Sequence, residues 1–293
     1  MSNIEKKKAE ISEQVLSRIN ELQEAGGLQL PKDYSPANAL KGAYLHLKEL
    51  KDKNGKPALE VCKQTSVAES MLKMCLEGLS VLKKQGYFIV YGTDLQWIRS
   101  YQGSVALAKR VANVLSVNAQ VVYEGDVFEY AVDANTGMKK LVKHEQSIGN
   151  IDNSKIIGAY AVVLLSDTVG GNTSSLEVMT IDEIKAAWRQ GATKGSSPAH
   201  TNFTQEMAKK TVINRACKSY INSSSDSYLG DINEFEDDDI SNDYAEEAYA
   251  EIVNETATQP LPEISMEIEP LQDEKSANTK SNAIRFPSDE PEF

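Results

Sequence analysis

The last quarter of the chain cannot share a core with the rest. From Asp226 to Phe293 there are 20 Asp and Glu residues against 3 Lys and Arg, a net charge of −17. Five of the nine prolines fall within 255–293, and apolar residues there are scattered. Such a segment buries too little apolar surface to offset the entropy of ordering it, so 226–293 is expected to be a largely disordered acidic tail. Only 240–252 stands out, where Ile240, Tyr244, Ala248 and Ile252 recur every four residues, the spacing of a helix that folds on a partner. The folded body must therefore come from residues 1–225, which hold 23 acids and 28 bases and so carry +5 under an overall charge of −12. A mildly basic body joined to an acidic tail points to a nucleic-acid partner and an interaction tail.

Within the body, periodicity changes twice. Ile4, Ile11, Val15, Ile19 and Leu22 mark a helix over 4–25, closed by Gly26-Gly27. Pro36 opens a second helix that ends before Asn54-Gly55, and Ser66 a third, striped by Val67, Met71, Met74 and Cys75 and ending at Gly78. From Tyr87 to Leu165 the pattern alternates, giving strands at 87–91, 95–101, 117–123, 127–132, 139–145 and 156–165, broken by a helix near 104–114. Residues 170–172 read as a turn, 181–190 as a short helix, 191–202 as a Gly/Ser/Pro loop and 203–221 as a longer helix. The class implied is α+β: a small antiparallel sheet packed on helices, an N-terminal helical segment and a disordered acidic tail. The divisions are 1–60, helical and able to supply oligomer contacts; 61–225, the α+β core; and 226–293, the partner-binding tail.

Several chemistries lack their residues. There is no G-x-x-x-x-G-K-[ST] loop, and the string from Gly191 to Ser197 has the wrong spacing for one. Cys62, Cys75 and Cys217 are odd in number, far apart and set in apolar-periodic segments, as reduced core thiols are. Glu124, Asp126 and Glu129 could hold Mg²⁺ for a nuclease, but Gly125 places a turn among them, which favours a solvated hairpin. No apolar run is long enough to span a bilayer, and the N-terminus lacks the apolar stretch of a secretory signal.

The basic residues are better ordered. On a wheel for 203–221, Val212, Ile213, Ala216, Cys217 and Tyr220 share one arc, while Lys210, Asn214, Lys218, Thr211 and Arg215 share the other. Lys209 falls on the apolar side and must snorkel. The 104–114 helix sets Lys109, Arg110 and Asn113 opposite Leu107, Val111 and Val114. Strand 95–101 puts Leu95, Trp97, Arg99 and Tyr101 on one face, which is either a stacking platform for unpaired bases or a core face with one salt-bridged arginine.

The same segments carry a resemblance. Gln96 to Gly103 followed by Leu107-Ala-Lys-Arg110 resembles the Tyr-x-Gly-x-x-x-Leu-Ala-x-Arg block of the RecT family of phage-type single-strand DNA annealing proteins. Val121 to Asp126 with Phe128 is similar to its Val-x-Glu-Gly-Asp-x-Phe segment, and Glu177 to Thr180 and Glu206 to Thr211, with Arg215 and Lys218, to later blocks. Gly78-Leu79 ahead of Tyr87 and Tyr91-Gly92 fits the family pattern as well, so that the blocks run in order over about 66–221. The chain departs from it in lacking a proline soon after the last basic helix and in carrying Gln102 where some relatives carry Arg. The resemblance implies ATP-independent annealing of single-stranded DNA, yielding duplex, by a homo-oligomer shaped as a ring or helical filament, in the cytoplasm of a bacterium or phage-infected host. A protein that coats single strands without promoting pairing would show the same basic pattern. No cofactor is required, Mg²⁺ being at most a counterion of the DNA. Expected DNA contacts are Arg99, Tyr101, Lys109, Arg110, Asn113, Lys209, Lys210, Asn214, Arg215 and Lys218. A partner exonuclease or single-strand-binding protein is expected at the tail.

Overall fold

The computed structural model describes residues 3–166, 171–191 and 193–224, with side chains described from Ile11 onward. The acidic tail 226–293, and with it the 240–252 segment, lies outside the described residues. The class is α+β, as expected, with small antiparallel sheets among helices.

Helix α1 (Asn3–Glu24) buries Ile11, Val15 and Ile19, the stripe that its spacing predicts. Ser35 caps α2 (Pro36–Glu49), its hydroxyl accepting from the Asn38 amide at 3.4 Å with Pro36 in the first turn. A one-turn helix α3 (Ala58–Val61) leads into α4 (Gln64–Leu76), which buries Val67, Met71, Met74 and Cys75. Strands β1 (Gly86–Tyr91) and β2 (Asp94–Arg99) form a hairpin that turns at Gly92-Thr93. Its Phe88, Leu95 and Trp97 close a first core running from Ile11 to Trp97. This core draws on α1, α2, α3, α4 and the hairpin together.

The second core runs from Leu107 to Ile221. Helix α5 (Tyr101–Val111) is followed by β3 (Val114–Tyr123), a hairpin of β4 (Val127–Val132) and β5 (Lys139–Glu145), then β6 (Ile156–Ser166) and β7 (Asn172–Thr180). Strands β3, β6 and β7 form one antiparallel sheet with β6 central. Alternation along β6 assigns its faces. Ala159, Ala161 and Val163 meet the helices, while Tyr160 and Val162 meet the β4–β5 hairpin, whose Phe128 stacks on Tyr160 at 5.1 Å. Helix α6 (Ile181–Gln190) starts with a capping box between Thr180 and Glu183. Helices α7 (Pro198–Asn202) and α8 (Thr204–Asn222) complete the layer, α7 standing where a loop is expected.

Candidate nucleic-acid interface

Helix α8 is central, packed by α5 along one flank and laid across β3, β6 and β7. Its buried residues, Met207, Ala208, Thr211, Val212, Ile213, Ala216, Cys217 and Ile221, go nearly round the helix. Thr211 is therefore corrected from the solvent arc to the interior, where it accepts the Trp188 indole N–H at 2.8 Å and donates to the Met207 carbonyl at 2.9 Å. Of the rest of that arc, Lys210, Asn214 and Lys218 form a half-buried row, each one turn from the next, and Arg215 is exposed beside it.

That row begins against α5. The Lys210 ammonium stands over the Tyr101 ring, 5.7 Å from its centroid, a cation–π contact between the two helices. Tyr101 is there because β2 stops at Arg99 and Ser100 caps α5. The Ser100 hydroxyl accepts from the Gly103 amide at 3.2 Å and donates to the Lys84 carbonyl at 2.7 Å. Gly103 lies so close to the chain before β1 that a β-carbon there would sit 2.0 Å from the Gln85 carbonyl oxygen. Lys109 and Gln102 are exposed on α5. Asn214 has its side-chain oxygen enclosed with no hydrogen-bond partner among the described residues.

Other expected contacts are occupied elsewhere. The expected stripe of Leu95, Trp97, Arg99 and Tyr101 breaks at Ser100, so Tyr101 belongs to the helix and the rest face the core. Arg99 is only 9% exposed and pairs at 3.2 Å with Glu77, itself 3% exposed. The other Glu77 oxygen accepts the Trp97 indole N–H at 2.7 Å. Arg110 is exposed, yet it donates to the Glu77 backbone carbonyl at 2.7 Å and so ties α5 to the end of α4. Asn113 adopts φ +53° in the turn into β3, and its carbonyl accepts from the Ser166 amide at 3.1 Å. Lys209 pairs with Glu206 one turn back. Arg215 reaches the opposite flank of α8, meeting Glu177 at 3.1 Å and Glu183 at 3.6 Å. Hydrogen bonds from the Thr180 backbone and hydroxyl, with Arg215 nearby, hold the Glu183 carboxyl below its ordinary value.

The acidic turn is a structural knot. Burial would raise the Asp126 carboxyl, but hydrogen bonds from Gln146, the Tyr123 amide, Asn150 and His144 outweigh it and hold the group below its ordinary value. His144 also meets the Tyr160 hydroxyl at 2.9 Å. Glu124 and Glu129 are exposed, and among the described residues no three His, Cys, Asp or Glu gather as a metal site. No helix of the described residues is long and apolar enough to cross a membrane.

The body thus carries a seam in which the basic row of α8 meets Tyr101 of α5. Comparison supplies the class: the RecT family model matches residues 41–253, and the chain belongs to that family. It is also similar to Protein RecT of Escherichia coli (strain K12), 27% identical over 216 residues that span 70% of this chain and 74% of that protein. Family membership makes it a DNA-binding recombination protein of the single-strand annealing kind. The match begins in α2, ahead of the residue-66 start that the motif blocks suggest.

Proposed function

We propose that this chain anneals complementary single strands without ATP, holding one strand by its phosphates along the α5–α8 seam with bases left free to pair. The observation that carries the reading is the Lys210 ammonium over Tyr101 at the head of the Lys210–Asn214–Lys218 row, with Lys109 exposed on the neighbouring helix. Phosphate contacts position a strand and carry no sequence information, so binding is general. Pairing of the two strands supplies the driving energy, and no bond is made or broken that would need a nucleophile or cofactor. Mg²⁺ enters only as a counterion of the DNA. A body charge of +5 is modest, which favours many weak contacts summed along a homo-oligomer, as a ring or helical filament. The setting is the cytoplasm of a bacterium or phage-infected host, and the acidic 226–293 tail recruits an exonuclease or a single-strand-binding protein.

The test mixes complementary oligonucleotides with protein and no nucleotide, and follows duplex formation. Wild type accelerates it; Lys210→Ala with Lys218→Ala slows it and flattens the salt dependence of binding by about 0.7 per lost contact. A protein that binds strands yet leaves duplex formation at its spontaneous rate is a coating protein, and that result overturns the annealing reading. Truncation after Ser225 removes a net charge of −17 and leaves annealing intact.

A further inference from the structure

A cleft of about 700 Å³ opens beside α6, on the side of the body away from Tyr101. It lies where the start of β6, helix α6, the 193–196 turn and the first residues of α8 meet. Both α5 and α6 pack on α8, but Lys210 reaches α5 whereas Arg215 reaches Glu183 on α6, so the two helices flank α8 on different sides. The cleft is separate from the α5–α8 seam.

Three cations line it: Lys185, Arg189 and Lys194. Lys185 and Arg189 are one turn apart on α6 and share a face. Lys194 is delivered by a tight turn in which it takes φ +53° and Gly195 takes +76°. Gly195 lets that turn press on the helix, since a β-carbon there would stand 3.0 Å from Trp188 Cβ. Among the described residues no Asp or Glu lines the cleft, and none of the three cations has an ion pair. Lys209 and Arg215, by contrast, are each held by carboxylates. Three cations on the lining of one cleft, with no carboxylate beside them there, give it a positive charge that an anion would offset. The hydroxyls of Ser154 and Thr201 add neutral hydrogen-bonding groups, and Ile156 and Trp188 give an apolar wall. The volume suits a whole small molecule better than a lone ion.

We propose that this cleft takes one nucleoside-phosphate unit of a DNA strand, its phosphate held by Lys185, Arg189 and Lys194 and its sugar and base against the Ile156–Trp188 wall. It gives the protein a second contact track for DNA. The inference rests on the DNA-annealing reading, and the experiment separates the two. Full-length protein is titrated with labelled oligo(dT) over a range of salt. A Lys185→Gln, Arg189→Gln, Lys194→Gln variant is compared with wild type and with Lys210→Ala, Lys218→Ala. All three side chains are exposed, and thermal melting verifies the fold of the variant.

The cleft variant is expected to flatten the dependence of log affinity on log salt by about 0.7, the share of the one phosphate that the cleft holds. A strand carrying 4-thiothymidine, irradiated with wild type, is expected to crosslink within 185–204. A variant with the wild-type salt slope, or crosslinks that avoid 185–204, overturns the cleft while leaving the seam intact. Binding of free dTMP that the variant abolishes, with strand binding unaltered, identifies a free-nucleotide site and also overturns it. Wild type that binds no strand at any salt removes the annealing reading and the cleft together.

Discussion

Arg99 offers the sharpest test, because burial and DNA contact predict opposite phenotypes for one residue. Its guanidinium and the Glu77 carboxylate are 9% and 3% exposed and 3.2 Å apart, with the Trp97 indole donating to the second carboxylate oxygen. Replacing Glu77 with Ala removes the carboxylate that pairs with this buried guanidinium, a change that costs about 3–5 kcal/mol. It also strips the acceptor from a buried indole N–H, for which about 1–3 kcal/mol is lost when the two effects are counted separately. They share one carboxylate, so the sum is not additive and about 4 kcal/mol is the working figure. For a body of this size ~1 kcal/mol shifts Tm by about 2–4 °C, which gives a drop of about 8–16 °C. Glu77→Gln keeps an oxygen for the indole and should fall less than Glu77→Ala. Arg99→Met, which fills the same space without charge, should leave Glu77 stranded and lower Tm comparably, with the salt slope of DNA binding unchanged. Thermal melts paired with oligonucleotide titrations decide it. An Arg99→Met protein with wild-type Tm and a flattened salt slope would refute the core assignment.

Gly103→Ala drives a methyl to 2.0 Å from the Gln85 carbonyl oxygen, so the hairpin and α5 must part; a loss of about 3 kcal/mol or more is expected in urea titrations. Asp126 has a folded pKa below its ordinary 3.8, so its hydrogen bonds stabilise the protein above that pH and the stabilisation fades as pH falls through the lower folded value. The stability gap between wild type and Asp126→Asn, measured by chemical denaturation, should therefore be full at neutral pH and narrow under acid. Burial pushes the Cys75 thiol up to about 11 and the Cys217 thiol up to about 12, and Cys62 is raised by the same cause. All three should resist a thiol reagent at about pH 8 until denaturant is added.

Most helices and strands were legible because each presents one apolar face at its own period. Helix α1, strands β4 and β5 and helix α6 fall within two residues of the spans that spacing alone sets. Strand β7 was not legible. Its 172–175 stretch is Asn-Thr-Ser-Ser, which reads as turn and loop, and it is an edge strand whose only ladder among the described residues is to β6. Half of its pattern is supplied by a partner that sequence spacing does not display. Helix α7 hid for a related reason: five residues are too few for a period, and its Ser197 cap and Pro198 look equally at home in a loop.

The basic residues were legible in composition, whereas the direction of two side chains, Thr211 and Tyr101, was not. A wheel ranks residues by type, so it sent Thr211 outward with the lysines; the hydroxyl instead satisfies Trp188 inside the fold. The strand pattern counted Tyr101 with Trp97 and Arg99, since alternation continues through Ser100 if nothing stops it. A serine followed three residues later by a glycine that packs on Gln85 is what stops it, and that contact reaches back across the whole hairpin. Once α5 begins at Tyr101, the ring leaves the hairpin and meets Lys210, a pairing that neither helix shows alone. Charge behaves the same way. Arg99, Arg110 and Arg215 look like the strongest phosphate ligands by residue type, because a guanidinium forks onto phosphate so well. That fork also suits a carboxylate or a carbonyl, and the fold has engaged all three with Glu77, Glu177 and Glu183. Lys109 and Lys194 lie exposed at the surface. On the proposed reading, a strand held at such lysines would be gripped by point charges rather than forks, free to slide and re-register while its bases search for their complement.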